Sequence, residues 1–249
     1  MTIGSLRLKT MLFYLNCTAN LGDFLNSLPV FSGISKRYPI SLIIRHEMAG
    51  FNGIIDFLLY QGIFENVYFD NQEIPLEPIF PISSWTREDK SDDNIPTETC
   101  RYENWVKDNY KLLFDVDQNF IVRVPDYSME VSNSILCGDR WVSDRMDTRR
   151  NSNVLCEFDK LTFLDFSKPL LENSYIIKNN STIFVSTFTG VSILADLLNK
   201  PQYVVWQDEL ANWDNKPIAE SFAKHYFKDR NSRLINIKDF RVEYDRLFY

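Results

Sequence analysis

Histidine, glycine and positive charge are all scarce in this chain, and each shortage removes a class of function. Only two histidines, His46 and His225, stand among 249 residues. The four cysteines, Cys17, Cys100, Cys137 and Cys156, match neither a zinc-ligand spacing nor a Cys-x-x-Cys redox pair. A metal site of that kind is not expected, and neither is a hydrolase triad, since no serine sits in a Gly-x-Ser-x-Gly elbow. Glycine numbers 8, and no Gly-x-Gly-x-x-Gly fingerprint marks the first strand-to-helix turn, which argues against a sugar epimerase. Lys and Arg number 27 against 34 Asp and Glu, a formal charge of −7. General nucleic-acid binding needs a basic field to neutralise phosphates, so it is not expected either. No apolar run approaches the roughly 20 residues of a membrane span, and residues 11–15 are too short for a signal peptide. A cytoplasmic protein with reduced thiols is the plain expectation.

What is present is an ordinary globular composition, 45% hydrophobic and unusually aromatic at 14%. Residues 8–16 read as a buried parallel strand, followed by a loop and a helix running to about residue 38. Phe24, Leu25, Leu28, Phe31 and Ile34 give that helix its apolar face. A strand at 40–45, a helix at 51–63 and a strand at 65–70 complete a strand–helix alternation typical of a doubly wound parallel sheet. Residues 71–99, with four prolines and an acidic run at 88–93, read as a long loop. A helix at 101–114 and a strand at 120–124 close the first half. The pattern restarts with a strand at 134–137, an Arg-rich polar stretch to 153 and a helix at 168–179. A strand at 181–186, a helix at 191–198 and a strand at 201–206 follow, and the last forty residues read as short helices and loops. The expected architecture is α/β with two Rossmann-like halves, residues 1–128 and 129–249.

Ligands of open α/β sheets bind outside the carboxyl ends of the strands, and two loops there are equipped for chemistry. In the first, Asn20-Leu-Gly-Asp23, Gly22 allows a tight entry into the helix. Asp23 sits in its first turn, where the helix N-terminus favours an ionised carboxylate by about 0.3–1 kcal/mol. Such a group serves equally as a general base or as a simple capping acid. In the second, Ser186-Thr187-Phe188-Thr189-Gly190, threonine hydroxyls and the N–H groups opening a helix suit an anion such as a diphosphate, or merely cap that helix. His46 ends a strand on the first half's side of the cleft, or is an ordinary surface histidine.

Gly22-Asp-Phe-Leu-Asn-Ser-Leu-Pro29, with the basic helix end Lys36-Arg37, resembles the opening of the heptosyltransferase-like (ADP-heptose:lipopolysaccharide) glycosyltransferase family. Ile183-Phe-Val-Ser-Thr-Phe-Thr-Gly190 and the following Ala195-Asp-Leu-Leu-Asn-Lys-Pro201 are similar to that family's donor-binding motif. Gly138-Asp-Arg140-Trp141 and Ser143-Asp-Arg145 are similar to its cleft loop. The resemblance implies a GT-B architecture, a nucleotide-sugar substrate, no cofactor and no essential metal. It implies Asp23 as the base that deprotonates an acceptor hydroxyl with inversion, flanked on the acceptor side by Asn20, Gly22 and His46. Donor diphosphate would be held by Gly138, Arg140, Arg145, Ser186, Thr187, Thr189, Gly190 and Val191. The acceptor implied is a glycan, a lipid-linked sugar or a modified nucleic-acid base. Phe188 stands where the family has an acid and Val191 where it has a histidine. These departures motivate the alternative of a non-catalytic nucleotide-binding or assembly protein that retains the cleft.

Overall fold

The computed structural model describes residues 9–16, 21–74, 78–83, 98–131, 134–138, 153–180, 182–187, 189–206 and 231–248. Strands β1 (Met11–Leu15), β2 (Ile40–Ile44), β3 (Val67–Phe69) and β4 (Ile79–Ile82) form one sheet in the order β3-β2-β1-β4, every pairing parallel. A second all-parallel sheet holds β5 (Leu136–Gly138), β6 (Thr162–Phe163), β7 (Phe184–Thr187), β8 (Gln202–Trp206) and β9 (Ser232–Asn236), in the order β6-β5-β7-β8-β9. Both orders reverse once, between β1 and β4 and between β5 and β7. Those reversals are the topological switch points where such sheets open a crevice at their carboxyl edge.

Among the described residues the helices are α1 (Leu21–Leu25), α2 (Leu28–Ser35), α3 (Ile54–Tyr60), α4 (Glu98–Tyr110), α5 (Leu170–Asn179), α6 (Gly190–Leu197) and α7 (Ile237–Phe248). The single helix expected up to residue 38 is two helices, because Pro29 falls in the first turn of α2. A proline inside one continuous helix would lose a backbone bond and clash with the preceding turn. The expected 51–63 helix is preceded by a 3-10 turn, His46–Gly50, and starts only at Ile54, after Gly53 in the left-handed region at φ +73°.

Three strands escaped the sequence pattern. β4 lies within the stretch read as loop and pairs with β1. Among the described strands it lies at the edge of its sheet, a position where a proline such as Pro81 is tolerated. β6 has two residues, and β9 forms the far edge of the second sheet. Conversely, residues 120–124 are not a strand. The Val122 N–H donates to the Leu197 carbonyl at the end of α6 (2.9 Å). The Arg123 N–H donates to Gln61 Oε1 (2.8 Å). Single bonds to a helix end and a side chain hold this segment in place of a ladder.

β2 is buried along its whole length, as a central parallel strand covered on both faces should be. Phe13 on β1 centres an aromatic group, its ring 5.7 Å from those of Phe31 and Phe80 and 6.3 Å from that of Tyr110. The same apolar cluster runs on through Leu21, Phe24, Val191, Leu194 and Phe184, so it joins the two sheets. A second cluster, including Cys137, Phe158, Val205 and Phe240, lies within the second half. Polar links join the halves too: Asn52 Nδ2 donates to the Ser167 carbonyl (2.8 Å), and the Leu170 N–H to the Asn52 carbonyl (2.8 Å). Among the described residues no helix is long and apolar enough to cross a membrane.

Candidate functional site

Asp23 lies in the first turn of α1, the helix that follows switch-point strand β1, and it is partly buried. Across from it, α6 follows switch-point strand β7 and opens at Gly190. The two helix openings touch. A Cβ added to Gly190 would lie 2.7 Å from the Gly22 nitrogen and 2.7 Å from Leu21 Cβ, while one on Gly22 would lie 3.3 Å from Gly190 Cα. Gly190 has no space for a side chain in that approach, and Gly22 has little. The turn that carries the candidate base therefore sits directly against the turn that carries the candidate phosphate seat.

Beneath the contact, a buried polar network fixes α6. Ser186 Oγ donates to Gln202 Oε1 (3.1 Å), and Gln202 Nε2 donates to the Ser192 carbonyl (2.9 Å) and to Ser232 Oγ (2.8 Å). Ser232 Oγ in turn donates to Asp196 Oδ1 (3.1 Å). Ser186 and Gln202 are both fully buried, so the Ser186 hydroxyl supports the turn from below. Thr189, extended at φ −142°, is the N-cap of α6, and its N–H donates to Ser192 Oγ (3.2 Å). Thr187 and Gly190 are partly buried. Val191 is wholly buried, leaving its backbone to the helix opening, whose first N–H groups have no partner within the helix. Gly138 ends β5 beside it; a Cβ there would come 2.6 Å from Val191 Cγ1. Asn20, Arg140, Trp141, Arg145, Phe188 and His225 lie outside the described residues.

The carboxyl edge of the first sheet carries a second cluster. Asp70, just past β3, accepts both the His46 N–H (2.9 Å) and the His46 ring nitrogen Nδ1 (2.9 Å) on Oδ1. Tyr14 of β1 donates its hydroxyl to Asp70 Oδ2 (3.3 Å). Burial, then the Asp70 charge, pushes the Tyr14 hydroxyl above its ordinary pKa. Arg45 clasps Glu47 with two nitrogens, one of them Nε at 3.1 Å. That pairing holds the Glu47 carboxyl below its usual range and raises Arg45. His46, Glu47 and Asp70 offer ligand atoms within 4.8 Å of one another, a grouping of the kind that can hold a cation. Sequence reading singled out His46 here but missed Tyr14, Arg45 and Asp70. Their shared signal was position, since each ends or follows one of the first three strands.

Neither a family model nor a curated protein matches the amino-acid sequence. Solved structures match the fold. A glycosyl transferase family 9 protein from Veillonella parvula superposes with a TM-score of 0.58 at 8% identity, over 97% of this chain and 90% of that one. The E. coli heptosyltransferase WaaC with ADP gives 0.53 at 11% identity, over 95% of this chain and 100% of that one. E. coli ADP-heptose lps heptosyltransferase II gives 0.51 at 9% identity, over 96% and 100%. The chain has the fold of the heptosyltransferase-type glycosyltransferases.

Proposed function

We propose that this chain is a glycosyltransferase that moves a sugar from a nucleotide-sugar donor to a hydroxyl acceptor. The observation that carries the reading is the backbone contact of Gly22 with Gly190. It brings the turn that bears Asp23 against the opening of α6, at the strand ends where open α/β sheets bind ligands, and this supports a base and a phosphate seat in one crevice. The shared fold with two heptosyltransferases, one of them solved with ADP, supports a nucleoside diphosphate as the leaving group.

In the reaction, the Asp23 carboxylate takes the proton of the acceptor hydroxyl as its oxygen attacks the anomeric carbon. The bond from that carbon to the donor phosphate breaks, and the nucleoside diphosphate departs with its electrons. A single displacement of this kind inverts the anomeric centre. The leaving charge is met by the first-turn N–H groups of α6 at Gly190 and Val191, and by Arg140 and Arg145, with no metal required. The acceptor is a glycan or lipid-linked sugar hydroxyl.

A melting-temperature screen against nucleoside diphosphates tests the donor half of this reading. At a hundredfold excess over Kd, a bound ligand adds about 2.7 kcal/mol of stability. One diphosphate is expected to raise the melting temperature, equally with and without EDTA. A rise seen only with added magnesium or manganese overturns the metal-free scheme, and no rise with any base overturns the nucleotide-sugar assignment.

A further inference from the structure

Where α3 meets α5, the surface carries tyrosines for which the transfer reaction has no use. The two helices begin side by side: a Cβ on Gly53, just before α3, would lie 3.3 Å from Pro169 Cβ, just before α5. Residues 123–129 are tied to both. The Arg123 N–H bonds to Gln61, the residue that caps the end of α3. The Tyr127 ring packs on Tyr175 of α5, with centroids 5.4 Å apart and planes at 85°. The Tyr175 hydroxyl donates to the Met129 carbonyl (3.3 Å). Ser128 takes the left-handed conformation at φ +49°, its N–H donating to Asp126 Oδ1 (3.0 Å). Tyr127 is nevertheless 40% exposed, and Tyr60 at the end of α3 is 41% exposed. Rings at right angles form a corner walled by π faces, and the negative face of a tyrosine attracts a cation.

The charges around the corner have the matching sign. Asp56 precedes Tyr60 by one helical turn, so the two share a face of α3 with Leu59. Asp56 is exposed and has no ion-pair partner among the described residues. Burial, then Glu172, Tyr60 and Asp56, pushes the Tyr127 hydroxyl above its ordinary value, and no basic group opposes them. Lys168 is committed to Glu172, and Arg123 to the Gln61 carbonyl (3.3 Å). An anion would therefore meet carboxylates and no available cation. A small ligand fills an enclosed pocket that buries most of its surface, whereas Leu59, Tyr60 and Tyr127 all lie open. Open aromatic and apolar surface beside an unpaired carboxylate suits a protein contact, where tyrosine and arginine are the enriched residues.

We propose that the Tyr127–Tyr175 corner, with Asp56 and Tyr60 beside it, docks an arginine-bearing segment of a partner protein. The guanidinium stacks over the Tyr127 ring and pairs with the Asp56 carboxylate, a combination that a lysine ammonium does not match. Docking here does not depend on the sugar-transfer reading.

The probe is the pentapeptide acetyl-Gly-Ser-Arg-Ser-Gly-amide, with counterparts carrying lysine or glutamine in place of arginine. Each is titrated against the full chain with isotope-labelled tyrosine, the ring NMR signals being assigned from Tyr60→Phe and Tyr127→Phe. The arginine peptide is expected to shift the Tyr60 and Tyr127 signals, the lysine peptide to bind more weakly and the glutamine peptide to leave them in place. Tyr127→Leu and Asp56→Asn each weaken arginine-peptide binding roughly two- to fivefold, the worth of one exposed cation–π contact or ion pair. Asp245→Asn removes the same charge from an exposed position on α7 and leaves binding unchanged. Asp56→Asn lies at an exposed position and carries the test should Tyr127→Leu fail to fold. No shift with the arginine peptide, or an equal shift with glutamine, overturns the docking surface. So does an equal loss in Asp56→Asn and Asp245→Asn, which marks attraction to the net charge of the chain alone. A methyl pyranoside that shifts the same tyrosine signals overturns it in favour of a carbohydrate platform, and lysine-peptide binding as tight as arginine overturns the guanidinium assignment.

Discussion

Gly22 and Gly190 come from opposite halves of the chain and meet backbone to backbone, with no room for a side chain on Gly190 and little on Gly22. A methyl group on Gly190 would sit 2.7 Å from the Gly22 nitrogen, whereas one on Gly22 would meet its nearest atom, Gly190 Cα, at 3.3 Å. The substitutions are therefore unequal. Gly190→Ala is expected to force α1 and α6 apart at a cost of about 1–3 kcal/mol, as overpacking does, and to weaken nucleotide binding. Gly22→Ala is expected to cost distinctly less. Urea midpoints of the two variants, measured side by side, check the order.

Gln202 is the hub of the buried network beneath α6, bonded to Ser186, Ser192 and Ser232. Gln202→Leu keeps much of the volume but leaves the Ser186 hydroxyl and the Ser192 carbonyl without this partner in a buried place. Each such group costs about 1–3 kcal/mol. The expected outcome is a clear drop in the denaturation midpoint, together with weaker nucleotide binding, because the α6 opening loses its support.

Asp117 ties the segment after α4 to α2, accepting from Ser32 Oγ (2.7 Å) and pairing with Lys36 Nζ (2.9 Å). Burial pushes its carboxyl up, but the bonds to Ser32 and Lys36 outweigh that and hold it below its ordinary value. A depressed carboxylate stabilises the fold above the ordinary carboxylate pKa of about 3.9 and stops doing so as pH falls through the folded value. Asp117→Asn is expected to lower stability at neutral pH and to flatten the loss on acidification. Chemical denaturation across the acid range reads both effects.

Much of this fold was legible because parallel strands buried on both faces read as continuous apolar runs. Met11–Leu15 and Ile40–Ile44 are such runs, and the structure pairs them. β4 was not legible: Pro78 and Pro81 signal loop locally, and only the pairing with β1 makes Ile79–Ile82 a strand. Residues 120–124 failed in the opposite direction, since a short run rich in aromatic and β-branched residues satisfies a strand pattern whether or not a neighbouring strand is present. At the site, Gly22-Asp23 and Gly190 were visible as residues at strand-to-helix turns, yet the contact of Gly22 with Gly190 was not. It arises from a tertiary approach that no local spacing encodes. The Ser186 hydroxyl, read as a donor contact, lies fully buried against Gln202, a distinction that needs the third dimension.

The most direct test is the release of nucleoside diphosphate from the nucleotide-sugar chosen by the binding screen, with acceptor present, comparing wild type with Asp23→Asn. Asparagine keeps the size of the side chain and much of its capping ability, so fold and donor affinity are expected to stay close to wild type. Turnover is expected to fall roughly 10²–10⁴-fold, the usual contribution of a general base. Transfer by Asp23→Asn at the wild-type rate, or donor binding by the wild type with no diphosphate released, would contradict the account.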